Sequence, residues 1–333
     1  MTAVIIIIAL VIALPLIYLA TLDGNFSVRR SLEIAAEPKA VFDKIRDFES
    51  WKEWSPWLMH EPETQLSYSD TPDQEGGWYT WDGKIVGAGK LTHEKFADNE
   101  KIEQRIEFTR PFKSTSRVWW EFEPVEDGKT LVHWNMAGSM PFLFRFMAKK
   151  LPEYINKDYD TGLHLLRAEL VPGAEVPRIT FHGPVELDEQ TALSIPFEGD
   201  IESMKMAMTD GFPRLGHYVD EQGLKATGCP FTIYHKVDIK EMNFECDMAL
   251  PVLAGTQSSE YELKIYPGGR FYKTSLRGSY EFLELAWYQA YSHLQMAKIE
   301  PAMKRASMEV YENDPDTVEH TNDIETSIYI PIK

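Results

Sequence analysis

Glu309 and Tyr311 stand two residues apart in Met308-Glu309-Val310-Tyr311, a stretch whose composition suits a β-strand. Residues i and i+2 of a strand share a face, so the carboxyl and the phenol point one way while Met308 and Val310 point the other. A carboxyl beside a phenol on one face has two chemical uses. It can pair with a cationic ligand, or act as a general base once desolvation raises its pKa. The plainer alternative is a solvated face on an edge strand. Trp287, in the middle of an apolar helical stripe, is either a core tryptophan or a stacking wall for an aromatic or cationic ligand. Tyr234 occupies the position matching Tyr311 in an earlier copy of the same pattern, and Tyr280 is a looser candidate. Glu309, Tyr311, Trp287, Tyr234 and Tyr280 are therefore the candidate ligand-binding residues. Glu309 is the catalytic candidate if the protein is a hydrolase.

Other chemistries lack their signatures. There is no GxSxG, Walker A, HExxH or GxGxxG. The nine histidines are scattered, and Cys229 and Cys246 have no metal spacing, so neither a metal nor a cofactor is expected. The cysteines read as free thiols, with a disulfide as the alternative. Cys229 and His235 are close in sequence, which is weak support for a nucleophile and base.

The elements that must position these residues are duplicated. Phe231-Thr232-Ile233-Tyr234, followed by a segment ending Ala249-Leu250-Pro251-Val252, is echoed about 77 residues later by Met308-Glu309-Val310-Tyr311 and Tyr329-Ile330-Pro331-Ile332. A repeat at fixed offset implies two equivalent half-domains. Each half reads as strand, helix and two paired strands. One helical stripe is Ile201, Met204, Met208, Phe212 and Leu215, with Pro213 expected to bend or end it; the other is Leu283, Trp287, Ala290 and Leu294. Glu309 stands where Thr232 stands in the first copy, so the halves form a near-symmetric cradle with a carboxyl on one side only.

Before this lies another region. Strands alternate from Phe26 to about Gly138, with an aromatic-dense stretch holding Trp51, Trp54 and Trp57. Those tryptophans either pack over the sheet or line a pocket, and His133 and Asn135 face either solvent or a cavity. Ile155, Tyr159, Leu163, Leu166 and Leu170 then mark one face of a helix, and the Pro- and Gly-rich run Val171 to Pro177 reads as a domain boundary. At the N-terminus, Ala3 to Ala20 carries no charge and as a helix would span roughly 27 Å, about a bilayer core. It reads as an uncleaved transmembrane anchor over residues 1–22. Arg29 and Arg30 after it favour a cytoplasmic body. The chain of 333 residues has a formal charge of −18 and no basic patch, so a nucleic-acid partner is not expected.

Two family resemblances cover nearly all the chain beyond the anchor. Residues 28–171 resemble the SRPBCC (START/polyketide cyclase-like) domains, on Ile34-Ala35-Ala36-Glu37-Pro38 with Val41-Phe42, on Trp51-Lys52-Glu53-Trp54-Ser55-Pro56-Trp57, and on Phe108 with Pro111-Phe112. The resemblance implies a helix-grip fold, a curved antiparallel sheet around a long C-terminal helix, with a hydrophobic cavity for lipid-like or aromatic ligands. Residues 178–333 are similar to the GyrI-like bacterial effector-binding domains, on Gly278-Ser279-Tyr280, on the Glu309 strand with Asn313-Asp314-Pro315, and on the closing Ile328-Tyr329-Ile330-Pro331-Ile332. This implies a duplicated β-α-β-β domain with pseudo-twofold symmetry. It also implies that aromatic or cationic molecules bind between the halves, with Glu309 matching the family's glutamate. The fold expected is α+β. The function expected is a membrane-anchored small-molecule binding or sensing protein with two pockets. The alternatives are a hydrolase detoxifying a reactive compound through Glu309, and an interaction protein with vestigial pockets.

Overall fold

The computed structural model describes residues 2–333, with the backbone alone for residues 2–10 and 12. The chain divides into two compact units, Met1–Ala174 and Glu175–Lys333.

The first unit begins with helix α1 (Thr2–Thr21), which contains Pro15. The transmembrane span expected over 1–22 gains no support: among the described residues no helix is long and apolar enough to cross a membrane. Side chains 1–10 and 12 of that span lie outside the described residues.

Strand β1 (Asn25–Ile34) and helices α2 (Pro38–Arg46) and α3 (Trp51–Trp54) follow. Next come β2 (Gln65–Tyr68), β3 (Trp78–Asp82), β4 (Ala88–Ala97), β5 (Lys101–Arg110), β6 (Ser114–Val125) and β7 (Lys129–Ser139), and the unit closes with helix α4 (Leu151–Leu170). The strands form one antiparallel sheet in the order β1-β7-β6-β5-β4-β3-β2. α4 presents Tyr159, Leu163 and Leu166 to the core, the stripe that its 3.6-residue period dictates. Arg30 interrupts the apolar alternation of β1 because its Nε donates to Asp160 Oδ1 of α4 at 2.6 Å. An aromatic column occupies the space between helix and sheet. Trp120 stacks on Trp134 at 4.2 Å and Trp134 on Tyr159 at 3.9 Å, while Trp51 and Trp54 meet the two tryptophans edge-on. Gly162 permits this approach, since a Cβ there would lie 2.7 Å from the Trp134 ring. Trp57 sits at the margin and donates from Nε1 to Asp158 Oδ2 at 3.1 Å. His133 and Asn135 lie on the other face of β7, where they bond to Ser31 Oγ (2.6 Å) and the Trp119 carbonyl (3.3 Å).

The second unit runs β8 (Arg178–Leu187), β9 (Gln190–Asp200), α5 (Ile201–Glu221), β10 (Phe231–Asp238), β11 (Asn243–Pro251), β12 (Glu262–Tyr266), β13 (Gly269–Arg277), α6 (Leu283–Met296), β14 (Ser307–Tyr311) and β15 (Glu325–Pro331). The halves β9-α5-β10-β11 and β13-α6-β14-β15 share one eight-stranded sheet, ordered β12-β9-β11-β10-β14-β15-β13-β8. β10 and β14 meet at its centre, where Thr232 pairs directly with Glu309. The duplicated positions thus face each other across the pseudo-twofold axis. The outer strands are exchanged: β8 leads into β9 but pairs with β13, and β12 leads into β13 but pairs with β9. Asp200 caps α5 by accepting from the Ser203 backbone N–H at 2.8 Å. Pro213, expected to bend or end α5, does not end it: the helix continues to Glu221. The whole is α+β, two antiparallel sheets with helices.

Candidate functional site

Pairing in register places Thr232, Glu309 and Ile328 in a row across three strands, on the face that α5 and α6 cover. Glu309 is 3% exposed. Its Oε2 accepts from Tyr234 OH at 2.9 Å and from Tyr311 OH at 3.0 Å, and its Oε1 accepts from Trp287 Nε1. Because the Tyr311 proton goes to the carboxyl, the Thr232 hydroxyl donates to Tyr311 OH at 2.9 Å. Tyr234 and Tyr311 therefore do not face each other across a cleft. They flank the central Thr232–Glu309 pair and converge on one oxygen. α6 contributes Trp287, which meets Tyr234 edge-on at 5.9 Å. α5 contributes Phe212, edge-on to Tyr311 at 5.1 Å, and Met208, whose sulfur is 3.8 Å from Tyr311 OH. Tyr280, in the turn before α6, lies edge-on to Tyr311 at 5.8 Å. The structure brings all five sequence candidates together around Glu309.

Burial pushes the Glu309 carboxyl up, and the hydrogen bonds from Trp287, Tyr234 and Tyr311 recover only part of the shift. Burial, then the Glu309 charge, drives the phenols of Tyr234 and Tyr311 well above the usual range. Tyr280 is pushed up to about 12 by burial and by Asp314 and Glu309. Among the described residues no lysine, arginine or histidine forms an ion pair with Glu309. The arrangement is a carboxyl held by neutral donors in a wall of aromatic rings and a thioether. It can accept a positive charge, or a proton, at a place screened from water.

Sequence reasoning missed Thr232, Met208 and Phe212 as neighbours of Glu309. The α5 stripe contained two of them, but nothing in it pointed to the strand bearing Tyr311. It also missed a second polar cluster on the opposite sheet face. Asp247, 2% exposed, accepts from Lys264 Nζ at 2.9 and 3.0 Å and from Tyr266 OH at 3.0 Å, and bonds to His235 Nε2 at 2.8 Å. Burial opposes ionisation of Asp247, yet Lys264, His235 and Tyr266 together hold its carboxyl below the usual range. The one available signal was an aspartate inside the apolar run Cys246 to Val252. A cavity of about 910 Å³ opens on this face, with Phe231, Ile233, Phe271 and Met308 in its lining; Glu309 does not line it. Cys229 and His235 have separate partners, the Glu312 carbonyl and Asp247, and both cysteines are free thiols. Among the described residues no cluster of three or more His, Cys, Asp or Glu could hold a metal ion.

Comparison with known families supplies the names for these two architectures. Residues 25–171 match the family described as polyketide cyclase / dehydrase and lipid transport, and residues 185–333 match the GyrI-like small molecule binding domain. The chain joins a polyketide-cyclase-type domain to a GyrI-like domain. Both family descriptions fit small-molecule binding. No curated protein matches the chain. Among solved structures, the C-terminal domain of EcmrR is similar at 19% identity, over 47% of this chain and 98% of that one, with a TM-score of 0.40. A complex of EcmrR with DNA is similar at 17% identity, over 57% and 70%, again at 0.40. The protein CV1439 from Chromobacterium violaceum is similar at 14% identity, over 44% and 97%, at 0.34. The expectation of no nucleic-acid partner is corrected by these findings. EcmrR, whose C-terminal domain is similar to this chain, is seen in a complex with DNA, so the exclusion drawn from net charge is withdrawn. Likeness at this level concerns the fold and says nothing of DNA binding by this chain.

Proposed function

We propose that the GyrI-like domain binds an aromatic organic cation against the Glu309 carboxylate, as a binding or sensing module. The observation that carries this reading is a fully buried carboxyl with three neutral donors and no cationic partner among the described residues. A buried charge without a counter-charge is costly, and a cation at the same place offsets that cost. Trp287, Tyr234, Tyr280 and Tyr311 supply the ring faces and edges that such a ligand stacks on. The polyketide-cyclase-type domain, on the same reading, takes an apolar ligand against its aromatic column.

The test is titration of the chain with tetraphenylphosphonium, followed by Trp287 fluorescence and calorimetry. Glu309→Gln should weaken binding at least ten-fold with Tm nearly unchanged, and wild-type affinity should rise with pH as the carboxyl ionises. Equal affinity in the variant removes the reading.

Hydrolysis of a reactive small molecule with Glu309 as base is the second reading, favoured by the raised pKa of that carboxyl. It requires a substrate that is turned over by the wild type and still bound, without turnover, by Glu309→Gln. Binding is preferred because both carboxylate oxygens already accept hydrogen bonds, which suits holding a charge better than taking a proton.

A further inference from the structure

The two halves of the second unit differ at more than Thr232 and Glu309. Strand register defines matching rows on the face that α5 and α6 cover. Outward from the centre, one row of the first half runs Thr232, Met248, Ile195, and its mate in the second half runs Glu309, Ile328, Thr274. The adjoining rows run Tyr234, Cys246, Phe197 and Tyr311, Thr326, Leu276. Thr274 thus stands where the first half has Ile195, and Thr326 where it has Cys246. Both threonines are 0% exposed, and neither hydroxyl has a hydrogen-bond partner among the described residues. An interior hydroxyl without a partner destabilises a fold, and an apolar side chain of the same shape avoids that cost. Thr232 shows the ordinary case, since its hydroxyl bonds to Tyr311. The two unpaired hydroxyls adjoin the candidate site. Thr326 pairs with Tyr311 and is a diagonal neighbour of Glu309, and Thr274 is a diagonal neighbour of Thr326 on the next strand. Such diagonals measure about 7–8 Å. Trp287, Tyr280 and Met208, which surround Glu309, are only partly buried, so the glutamate end of the row borders solvent.

We propose that Thr326 and Thr274 form a polar subsite of the Glu309 site, and that the ligand is an aromatic cation bearing a carbonyl about 7–8 Å from its charge. The cation meets the Glu309 carboxylate, its ring extends over β15 beneath α6, and the carbonyl oxygen accepts from the threonine hydroxyls. One oxygen serves both, because a carbonyl has two lone pairs. The first half offers no equivalent, so the ligand lies to one side of the pseudo-twofold axis. The place of the cation rests on the binding role of Glu309; the place of the carbonyl rests on the threonines alone.

The experiment uses the full chain and two cations that differ at a single group: (para-benzoylbenzyl)trimethylammonium, a ketone, and (para-benzylbenzyl)trimethylammonium, in which a methylene replaces the carbonyl. In calorimetry the ketone should bind at least about five-fold more tightly. Thr274→Val combined with Thr326→Val, which keeps the shape of both side chains, should abolish that preference while the methylene compound binds no more weakly than before. The double variant should also melt no lower than wild type, because it removes two unpaired hydroxyls. Glu309→Gln should weaken both compounds alike and leave their ratio unchanged. Equal binding of the two compounds by wild type, or a preference that survives in the double valine variant, overturns the proposal. So does a double variant that melts well below wild type, since its hydroxyls must then have been paired. If tetraphenylphosphonium binds through Glu309 but neither compound binds, the subsite falls and the reading of Glu309 stands. If both compounds are indifferent to Glu309→Gln yet their ratio still depends on the threonines, the reading of Glu309 falls and the subsite stands.

Discussion

Asp247 and Glu309 lie on opposite faces of one sheet, at 2% and 3% exposure. Each carboxyl has three partner side chains, Tyr266, His235 and Lys264 for Asp247 and Tyr234, Tyr311 and Trp287 for Glu309. Their protonation behaviour nevertheless diverges, with Asp247 held below the usual carboxyl range and Glu309 above it. The number of hydrogen bonds is similar, so number cannot be the cause. Asp247 has an ammonium at 2.9 Å, whereas every donor to Glu309 is neutral. A unit charge at about 4 Å contributes on the order of 4 kcal/mol at an effective dielectric of about 20, against about 1 kcal/mol net for a neutral hydrogen bond. Asp247 is thus a closed structural pair, while Glu309 keeps a charge that nothing in its own surroundings answers.

The largest effect that tests this contrast is expected from Asp247→Ala. It leaves Lys264 with only Glu262 at 3.6 Å and Tyr266 with only Ser194 Oγ, and should cost about 3–5 kcal/mol in urea unfolding. A loss below about 1 kcal/mol would break the distinction. Lys264→Met should cost about 2 kcal/mol and raise the Asp247 pKa, read by carboxyl-carbon NMR titration; an unmoved pKa would show that the ammonium is not the cause. The smallest effect is expected from Glu309→Gln, within about 1 kcal/mol of wild type. Glutamine can turn its Oε1 to Trp287 and its amide N–H groups to the tyrosine oxygens, which accept as well as donate.

The two carboxyls also give pH dependence opposite signs. Asp247, depressed in the folded state, contributes stability that is present above its unfolded pKa, about 3.9, and lost as pH falls through the folded value. Glu309, raised in the folded state, imposes a penalty that grows as pH climbs from its unfolded pKa, about 4.3, through the folded value. Stability of Glu309→Gln relative to wild type should therefore be highest near neutral pH and decline toward pH 4. A gain that grows on acidification would contradict the raised carboxyl.

Much of this was legible in sequence because the informative features are local. Two-residue alternation put Glu309 and Tyr311 on one face, the repeated Tyr and Pro positions revealed the halves, and the 3.6-residue stripe found α4. What stayed hidden depends on which strands meet. The exchange of β8 and β12 leaves no local trace, since either strand would show the same alternation beside its own half. The Asp247 cluster joins β11 to β12 and to His235, where the β10–β11 register shifts at a bulge, and no spacing rule connects them. Pro213 does not end α5 because a missing N–H costs one hydrogen bond, which the packing of Leu215, Tyr218 and Val219 against the sheet outweighs.

The exchanged outer strands have a consequence for how the chain is made. During synthesis β8 emerges first, but its partner β13 begins 82 residues after β8 ends, at Gly269 against Leu187. β8 waits unpaired until β13, the first strand of the second half, while β12 closes the outer flank of the first half just before β13 arrives and its inner flank stays open until β14. A ribosome stalled between the halves would display an unfinished sheet rather than a folded half-domain. Severing the chain there should yield two fragments that are insoluble apart and recover together.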